Sequence, residues 1–329
     1  MNTNSKTIEM KDMKSRKVVS IIGSVLVIIV LGLIINFILA DQEKITLTDS
    51  VRASLPGQFV TLPAGVVHYE LAGPDTAPTV VLVHGFSVPY YIWDPTFDAL
   101  IQAGFRVLRY DLFGRGFSDR PGTTYDLDLF EVQLEELLPA LNIQGPIVLV
   151  GHSLGGLIGA RFANEHPDQV RSLILIDPEV APFSTQKIFP LKIPLVGEYL
   201  MGVYIAPMFP KTQPDDFFQP DRFPDWEAMY RVQLQYKGFG QAMLSTIRSM
   251  PGMDALKEYE TVGKQNLPVL LIRGGEDNIV SAADMDQLVK MIPEIEYHII
   301  EEAGHNPQYE HPEVVNPILI EFMNGLKVP

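Results

Sequence analysis

Five short apolar runs constrain this chain more than any other feature: TVVLVHG at 79–85, RVLRYDL at 106–112, PIVLVG at 146–151, RSLILID at 171–177 and PVLLIRG at 268–274. Continuous runs of this length, bounded by turn residues, are the pattern of strands buried on both faces of a parallel sheet. A sixth run, IEYHII at 295–300, is more mixed, and 59–71 alternates loosely around Pro63-Ala64-Gly65 as a hairpin does. Between the runs, 94–103, 127–141, 154–165, 282–291 and 314–326 carry apolar residues three and four apart, the period of a helix with one buried face. Alternating strands and helices predict a mostly parallel central sheet with helices on both faces. Ligands of such sheets collect at the carboxyl ends of the strands, so the loops that follow the strands are where chemistry belongs.

One stretch breaks the rhythm. Residues 179–265 hold no buried-strand run, yet they contain 13 of the 31 aromatic residues, six of the 12 methionines and nine prolines. A structureless loop of that length is uncommon in a compact domain, so the stretch is expected to be a cap of short helices inserted between two strands. The sheet-bearing core would then be split into 58–178 and 266–329.

The N-terminus is a separate object. Residues 18–40 (VVSIIGSVLVIIVLGLIINFILA) carry no charge, and as a helix would be roughly 34 Å long, enough to cross a hydrocarbon layer of about 30 Å. Lys11, Lys14, Arg16 and Lys17 precede it, while Asp41 and Glu43 follow. The positive flank is expected to stay in the cytoplasm, making 1–17 a cytoplasmic tail, 18–40 a membrane anchor and 41–57 a linker to an external domain. The alternative is a cleaved signal peptide and a secreted protein; the apolar region of a signal is usually 7–15 residues, and Ile38-Leu39-Ala40 fits a small-x-small cleavage site poorly.

The formal charge is −15, and removing 1–40 takes away five basic and two acidic residues, leaving 20 basic and 38 acidic and a charge of −18. Such a surface argues against nucleic acid as a partner, which requires clustered Lys and Arg. It would also be repelled by anionic lipid, so the apolar helix, not surface charge, would hold the domain at a membrane. There is no Cys, which excludes disulfides, thiolate chemistry and cysteine-ligated zinc.

Gly151-His152-Ser153-Leu154-Gly155 fits G-x-S-x-G, placed between a buried strand and a helix. A side chain two residues to either side of Ser153 would strike the neighbouring strand or helix, which accounts for the glycines. A serine hydroxyl needs a base, normally a His held by a carboxylate. Among the seven His, His305 follows the last strand run immediately, on a loop in Ala303-Gly304-His305-Asn306-Pro307. Asp277, on the loop after PVLLIRG, is the expected carboxylate, with Asp177 at the end of RSLILID as its rival and neighbouring Glu276 read as a solvated charge. A tetrahedral intermediate also requires two backbone N–H donors; Leu154, after the nucleophile, and Phe86, in His84-Gly85-Phe86-Ser87, are the candidates. The 111–119 stretch lacks the Lys-Ser/Thr ending of a phosphate loop and reads as a turn in which Asp111 and Arg115 tie backbone together. No H-E-x-x-H or close His/carboxylate cluster points to a metal, and no cofactor is called for.

HGFS (84–87), DLFGRGFSDRP (111–121), GHSLGG (151–156), GGEDN (274–278) and AGHNPQYEHP (303–312) together make the chain resemble the α/β-hydrolase superfamily, in its branch with a helical cap, from residue 59 to the C-terminus. The resemblance implies Ser153 as nucleophile, Asp277 as acid, His305 as base and an oxyanion hole at the N–H groups of Phe86 and Leu154. Haloalkane dehalogenases and epoxide hydrolases of this branch use a carboxylate nucleophile, which Ser153 replaces here. The Gly-Gly-Ser-Trp-Gly of prolyl iminopeptidases is absent. Carbon–carbon bond hydrolases share the flavour of Gln308-Tyr309-Glu310-His311 but carry Trp after the catalytic His, where this chain has Asn306. Membrane-anchored monoacylglycerol lipases share the plan of anchor, cap and serine triad. The expected function is a serine hydrolase of apolar carboxylic esters, anchored in the cell membrane with its catalytic domain outside. A carbon–carbon bond hydrolase and a non-catalytic small-ligand receptor stand as alternatives.

Overall fold

A computed structural model of the chain describes residues 3–181, 184–186 and 188–326. The first two residues of the tail, Pro182, Phe183 and Lys187 of the inserted stretch, and the last three residues of the chain lie outside it.

The apolar runs form the centre of an eight-stranded sheet: β1 (Gln58–Leu62), β2 (Gly65–Ala72), β3 (Thr79–Val83), β4 (Arg106–Tyr110), β5 (Ile147–His152), β6 (Val170–Ile176), β7 (Val269–Gly274) and β8 (Glu296–Ile300). Their order is β1-β2-β4-β3-β5-β6-β7-β8. The β1–β2 hairpin and its pairing with β4 are antiparallel, and every other pairing is parallel. Because successive side chains leave a strand on opposite faces, each run feeds two cores. Val81, Leu149, Leu173 and Leu271 pack with Phe130, Leu157 and Leu288 on one side. Leu82, Val150, Ile174 and Ile272 pack with Phe97, Leu100 and Leu319 on the other. Strands covered on both faces leave no polar alternation, which is why β3 and β5 are buried along their whole length.

The helices in chain order are α1 (Thr3–Ala40), α2 (Asp49–Arg52), α3 (Asp94–Gln102), α4 (Leu127–Ala140), α5 (Leu154–Glu165), α6 (Phe189–Lys192), α7 (Val196–Leu200), α8 (Ala206–Thr212), α9 (Trp226–Arg231), α10 (Phe239–Ser249), α11 (Ala255–Val262), α12 (Ala282–Met291), α13 (Pro307–Glu310) and α14 (Pro312–Gly325). All five helices expected from periodicity are present, as α3, α4, α5, α12 and α14. Side-chain caps fix several starts: Asp126 accepts from the Leu129 N–H at α4, and Ser281 with Asp284 forms a capping box at α12.

Between β6 and β7 the chain makes short helices, α6 to α11, with a π-helical turn at Met201–Ile205. Pro190 and Pro207 sit in the first turns of α6 and α8, and Pro214 and Pro220 in the first turns of 3-10 helices at Gln213–Asp216 and Pro220–Arg222, where a missing N–H costs nothing. The last of them, α11, lies against α5, to which Glu258 is joined by Arg161 and Asn164.

Within α1, Val19–Ala40 is long and apolar enough to cross a membrane, with mean hydropathy 3.0 and none of its most apolar window buried. Its last turn touches the inserted segment, where the Asn36 side-chain amide donates to the Tyr199 hydroxyl (2.8 Å) and Phe37 stacks on Tyr199 (6.3 Å between ring centres). Beyond it, Glu43 accepts from the Gly238 and Gly240 N–H groups at the start of α10 (2.5 and 2.7 Å), and Ile45 bridges Tyr236.

Candidate active site

Ser153 stands at the corner between β5 and α5 with φ 53° and ψ −121°, a backbone conformation that L-residues rarely adopt. The corner is close-packed. A Cβ on Gly151 would lie 2.3 Å from the Gly155 carbonyl oxygen, and one on Gly155 would lie 2.2 Å from that of Val83 in β3. The Ser153 N–H donates to Ile176 C=O (3.0 Å), and its own carbonyl accepts from Gly156 and Glu179 N–H (2.9 and 3.1 Å). The turn is thus pinned by β3, β6 and the start of α5, so the strain is held by its surroundings.

His305 and Asp277 come from the loops after β8 and β7. The His305 imidazole donates through Nδ1 to Asp277 Oδ2 (2.9 Å), and Asp277 Oδ1 accepts from the Ile279 and Val280 N–H groups (2.7 and 3.1 Å). Both residues are buried. Burial opposes charge on the Asp277 carboxyl, but His305 and the two backbone donors outweigh it and hold Asp277 below the usual carboxylate range. Burial likewise disfavours the imidazolium, yet the Asp277 hydrogen bond and the charges of Asp277, Asp216 and Glu179 raise His305 above its ordinary value. Ser153 and His305 line one cavity of about 380 Å³ at the carboxyl ends of the strands, which Phe86 and Leu154 also border.

Asp177, the rival carboxylate, sits at the end of β6 with φ 39° and both oxygens on the Gly274 N–H (3.2 and 3.0 Å). Ligand atoms of Asp177, Asp277 and His305 lie within 4.8 Å of one another. Burial first, and then the Asp277 charge, push Asp177 well above the carboxylate range, whereas Asp277 is held below it and is the carboxylate hydrogen-bonded to His305. Glu276 is exposed. The other histidines are engaged elsewhere: His68 with Asp111, His166 with Glu131, His298 with Glu296 and His311 with Glu313.

Two further histidines serve the site. His84 Nε2 accepts from the Leu112 N–H (2.9 Å), which leaves its proton on Nδ1 to be donated to the Gly85 carbonyl (2.9 Å). A trans peptide directs C=O and N–H oppositely, so the bond that holds Gly85 C=O also aims the Phe86 N–H away from His84. Burial lowers His84 to about 4 and keeps it neutral in this role. His152 donates through Nε2 to the His305 carbonyl (2.7 Å), while the His305 N–H donates to Asp216 C=O (2.8 Å). Burial, and then the neighbouring His305, lower His152 to about 3.

Arg115 is fully buried, donating to Phe86 C=O (2.8 Å), Phe113 C=O (3.1 Å) and Thr246 Oγ1 of α10 (2.9 Å). Asp111 accepts from the Tyr90 and Phe117 N–H groups (2.9 and 2.8 Å), so both residues tie backbone as expected. That Arg115 reaches the loop carrying Phe86 is not legible in its local motif. Nor did the sequence mark Glu179, Gln213 and Asp216, which line the cavity with Val88, Ile188, Leu191, Ile247, Met250 and Ile279. Burial pushes Glu179 up to about 7 and Asp216 up to about 6. Among the described residues, no Lys or Arg lines the cavity.

Comparison with known proteins agrees with this architecture. The alpha/beta hydrolase family model matches residues 80–318. The AB hydrolase superfamily protein YfhM of Bacillus subtilis (strain 168) is 28% identical over 290 residues, covering 82% of this chain and 98% of that protein. Epoxide hydrolase 3 of Xenopus tropicalis is 26% identical, over 78% of this chain and 74% of its own. Among solved structures, a thermophilic esterase from Thermogutta terrifontis (TM-score 0.72, 23% identity, 83% of this chain and all of that one) shares the fold. So does the enol-lactonase from Burkholderia xenovorans LB400 (TM-score 0.71, 22% identity, 81% and 100%). With the match running from β3 into the last helix, the chain belongs to the alpha/beta hydrolase family.

Proposed function

We propose that this protein is a membrane-tethered serine hydrolase of neutral carboxylic esters with an apolar acyl group. In this reading His305 Nε2 takes the proton of Ser153 as its Oγ bonds to the ester carbon. The carbonyl electrons move onto oxygen, where the Phe86 and Leu154 N–H groups receive the charge. His305 then passes the proton to the departing alkoxide, the C–O bond breaks, and an acyl-Ser153 ester remains. Water, deprotonated by the same imidazole, releases the acid. Asp277 stays ionised throughout and stabilises the imidazolium.

The observation that carries the substrate class is the cavity lining. Val88, Ile188, Leu191, Ile247, Met250 and Ile279 offer an apolar wall, while Glu179 and Asp216 stand near His305 and no described residue of the lining is cationic. A dienoate of the carbon–carbon type would bring its own carboxylate against those acids, so the neutral ester is favoured. Tethering is supported by the length and hydropathy of Val19–Ala40. The basic residues before it and Asp41 and Glu43 after it favour a cytoplasmic N-terminus and an external catalytic domain, with residues 179–265 acting as a cap.

A fluorophosphonate probe tests the nucleophile: wild type should label and Ser153→Ala should not. An unlabelled wild type, or a labelled Ser153→Ala, overturns the reading. A p-nitrophenyl ester panel set against a meta-cleavage product separates ester from carbon–carbon cleavage. Ester turnover abolished by His305→Ala excludes a purely binding role.

A further inference from the structure

Outside α1, large apolar side chains stand in water most densely between Phe189 and Met208. Phe189 is 62% and Leu195 82% exposed, and Ile193, Val196, Tyr204 and Met208 are exposed with them. These residues lie on α6, the turn after it, α7, the π-helical turn and α8, each packed on the next. Leu195 also holds φ 66°. A leucine that is both outside its preferred backbone region and exposed is unfavourable twice over in water.

The same segment is where α1 meets the domain. Phe37 packs so closely on Gly202 that a Cβ there would lie 2.8 Å from the ring, and Asn36 is bonded to Tyr199. Asn36 lies four residues before the end of α1, about 6 Å along the axis. An interfacial helix buries its apolar face about 5–10 Å into the headgroup boundary, so the contact and the apolar face share one depth. Charge agrees with this placement. Lys192 and Lys211 are exposed along this segment, and Glu198 is paired with Arg248 (2.7 Å), on a domain that is otherwise strongly acidic. Phosphate headgroups would meet lysines here. On the inner side of α6, Ile188 and Leu191 line the Ser153 cavity.

We propose that the face built by α6, α7 and α8 is seated in the bilayer interface where α1 ends. The α6 helix is then one wall shared by the lipid and the Ser153 cavity, through whose flank ester substrates enter from the membrane plane. The inference rests on reading α1 as a retained anchor and Ser153 as an ester nucleophile.

The chain has no Cys, so single cysteines can be placed and labelled with bimane in the full-length protein. The labelled protein is reconstituted in phosphatidylcholine vesicles with or without acyl-chain bromine. Leu195→Cys and Phe189→Cys should lose about twofold in emission with brominated lipid, while Val314→Cys on α14 should not change. Ile28→Cys reports the anchor separately. Quenching at Ile28 without quenching at Leu195 overturns the seated face and leaves the anchor standing. Quenching at neither removes both, and quenching at Leu195 alone supports the seated face while removing the spanning helix. Cross-linking of unquenched Leu195→Cys to a second copy would assign the face to self-association and overturn the proposal.

For entry, a Phe189→Ser/Leu195→Ser/Met208→Ser variant should turn over vesicle-embedded monoacylglycerol about tenfold more slowly while keeping its rate on soluble p-nitrophenyl acetate. Equal losses on both substrates overturn the shared wall. Absence of ester turnover by wild type would instead count against the hydrolase reading, leaving the quenching result to judge the seated face.

Discussion

At the scale of the residue, the site is a set of carboxyl groups sorted by their surroundings. Asp277 accepts three hydrogen bonds that favour its charged form, while Asp177, a strand away, is buried against it and driven toward its neutral form. In the proposed mechanism His305 must be neutral to accept a proton, and its neighbours hold it above its ordinary 6.5, so kcat/KM for a neutral ester should rise with pH along an acid limb centred above that value. Glu179→Gln removes one of the negative neighbours and should move that limb to lower pH; a profile between pH 5 and 9 that does not move would show that Glu179 has no electrostatic hold on His305. His84 is separable from the proton chemistry because it acts on a peptide. His84→Ala should lower kcat about 10- to 100-fold with little change in KM, as loss of an aligned oxyanion donor does. Of these residues, Ser153, Asp277 and His305 were legible because each follows a strand-like run in a motif. Glu179 and Asp216 were not: their role comes from where the inserted segment folds back, and no local period records that.

At the scale of the element, the apolar runs and the helical periods were enough to place β3 to β7 and five helices, because residues covered on both sides of a sheet must be apolar throughout. The inserted helices were legible only as a composition, since most of them run for fewer than eight residues, too few for a period to develop. The β5–α5 corner is the most tightly specified junction. Gly155→Ala would set a methyl 2.2 Å from the Val83 carbonyl, and relief requires β3 or α5 to shift. Thermal unfolding should show a Tm about 5–10 °C lower, with fluorophosphonate labelling reduced because the same shift moves the 84–87 loop. An unchanged Tm would mean that the corner is looser than its packing shows.

At the scale of the whole molecule, the join between α1 and the rest is a built contact. Residues 41–57 connect α1 to β1, but Glu43 also caps α10, whose own N-cap is Gly238 and offers no side chain. Nothing near Glu43 in the chain could have announced this, since its partners lie 195 and 197 residues away. A chain shortened to 41–329 keeps that cap and should hydrolyse soluble esters at the full-length rate. One shortened to 48–329 loses Glu43 and Ile45 and should have a lower Tm and slower turnover, measured side by side by calorimetry and p-nitrophenyl ester assay.

The helix that Glu43 caps has a second attachment. Six residues beyond Gly240, about 9 Å along α10, Thr246 holds Arg115, and Arg115 holds the Phe86 carbonyl. One helix therefore has the segment that leaves α1 at one end and the loop carrying Phe86 near the other. Loss of the Glu43 cap would therefore loosen the far support of the 84–87 loop together with the start of α10, so the chain shortened to 48–329 should lose both at once.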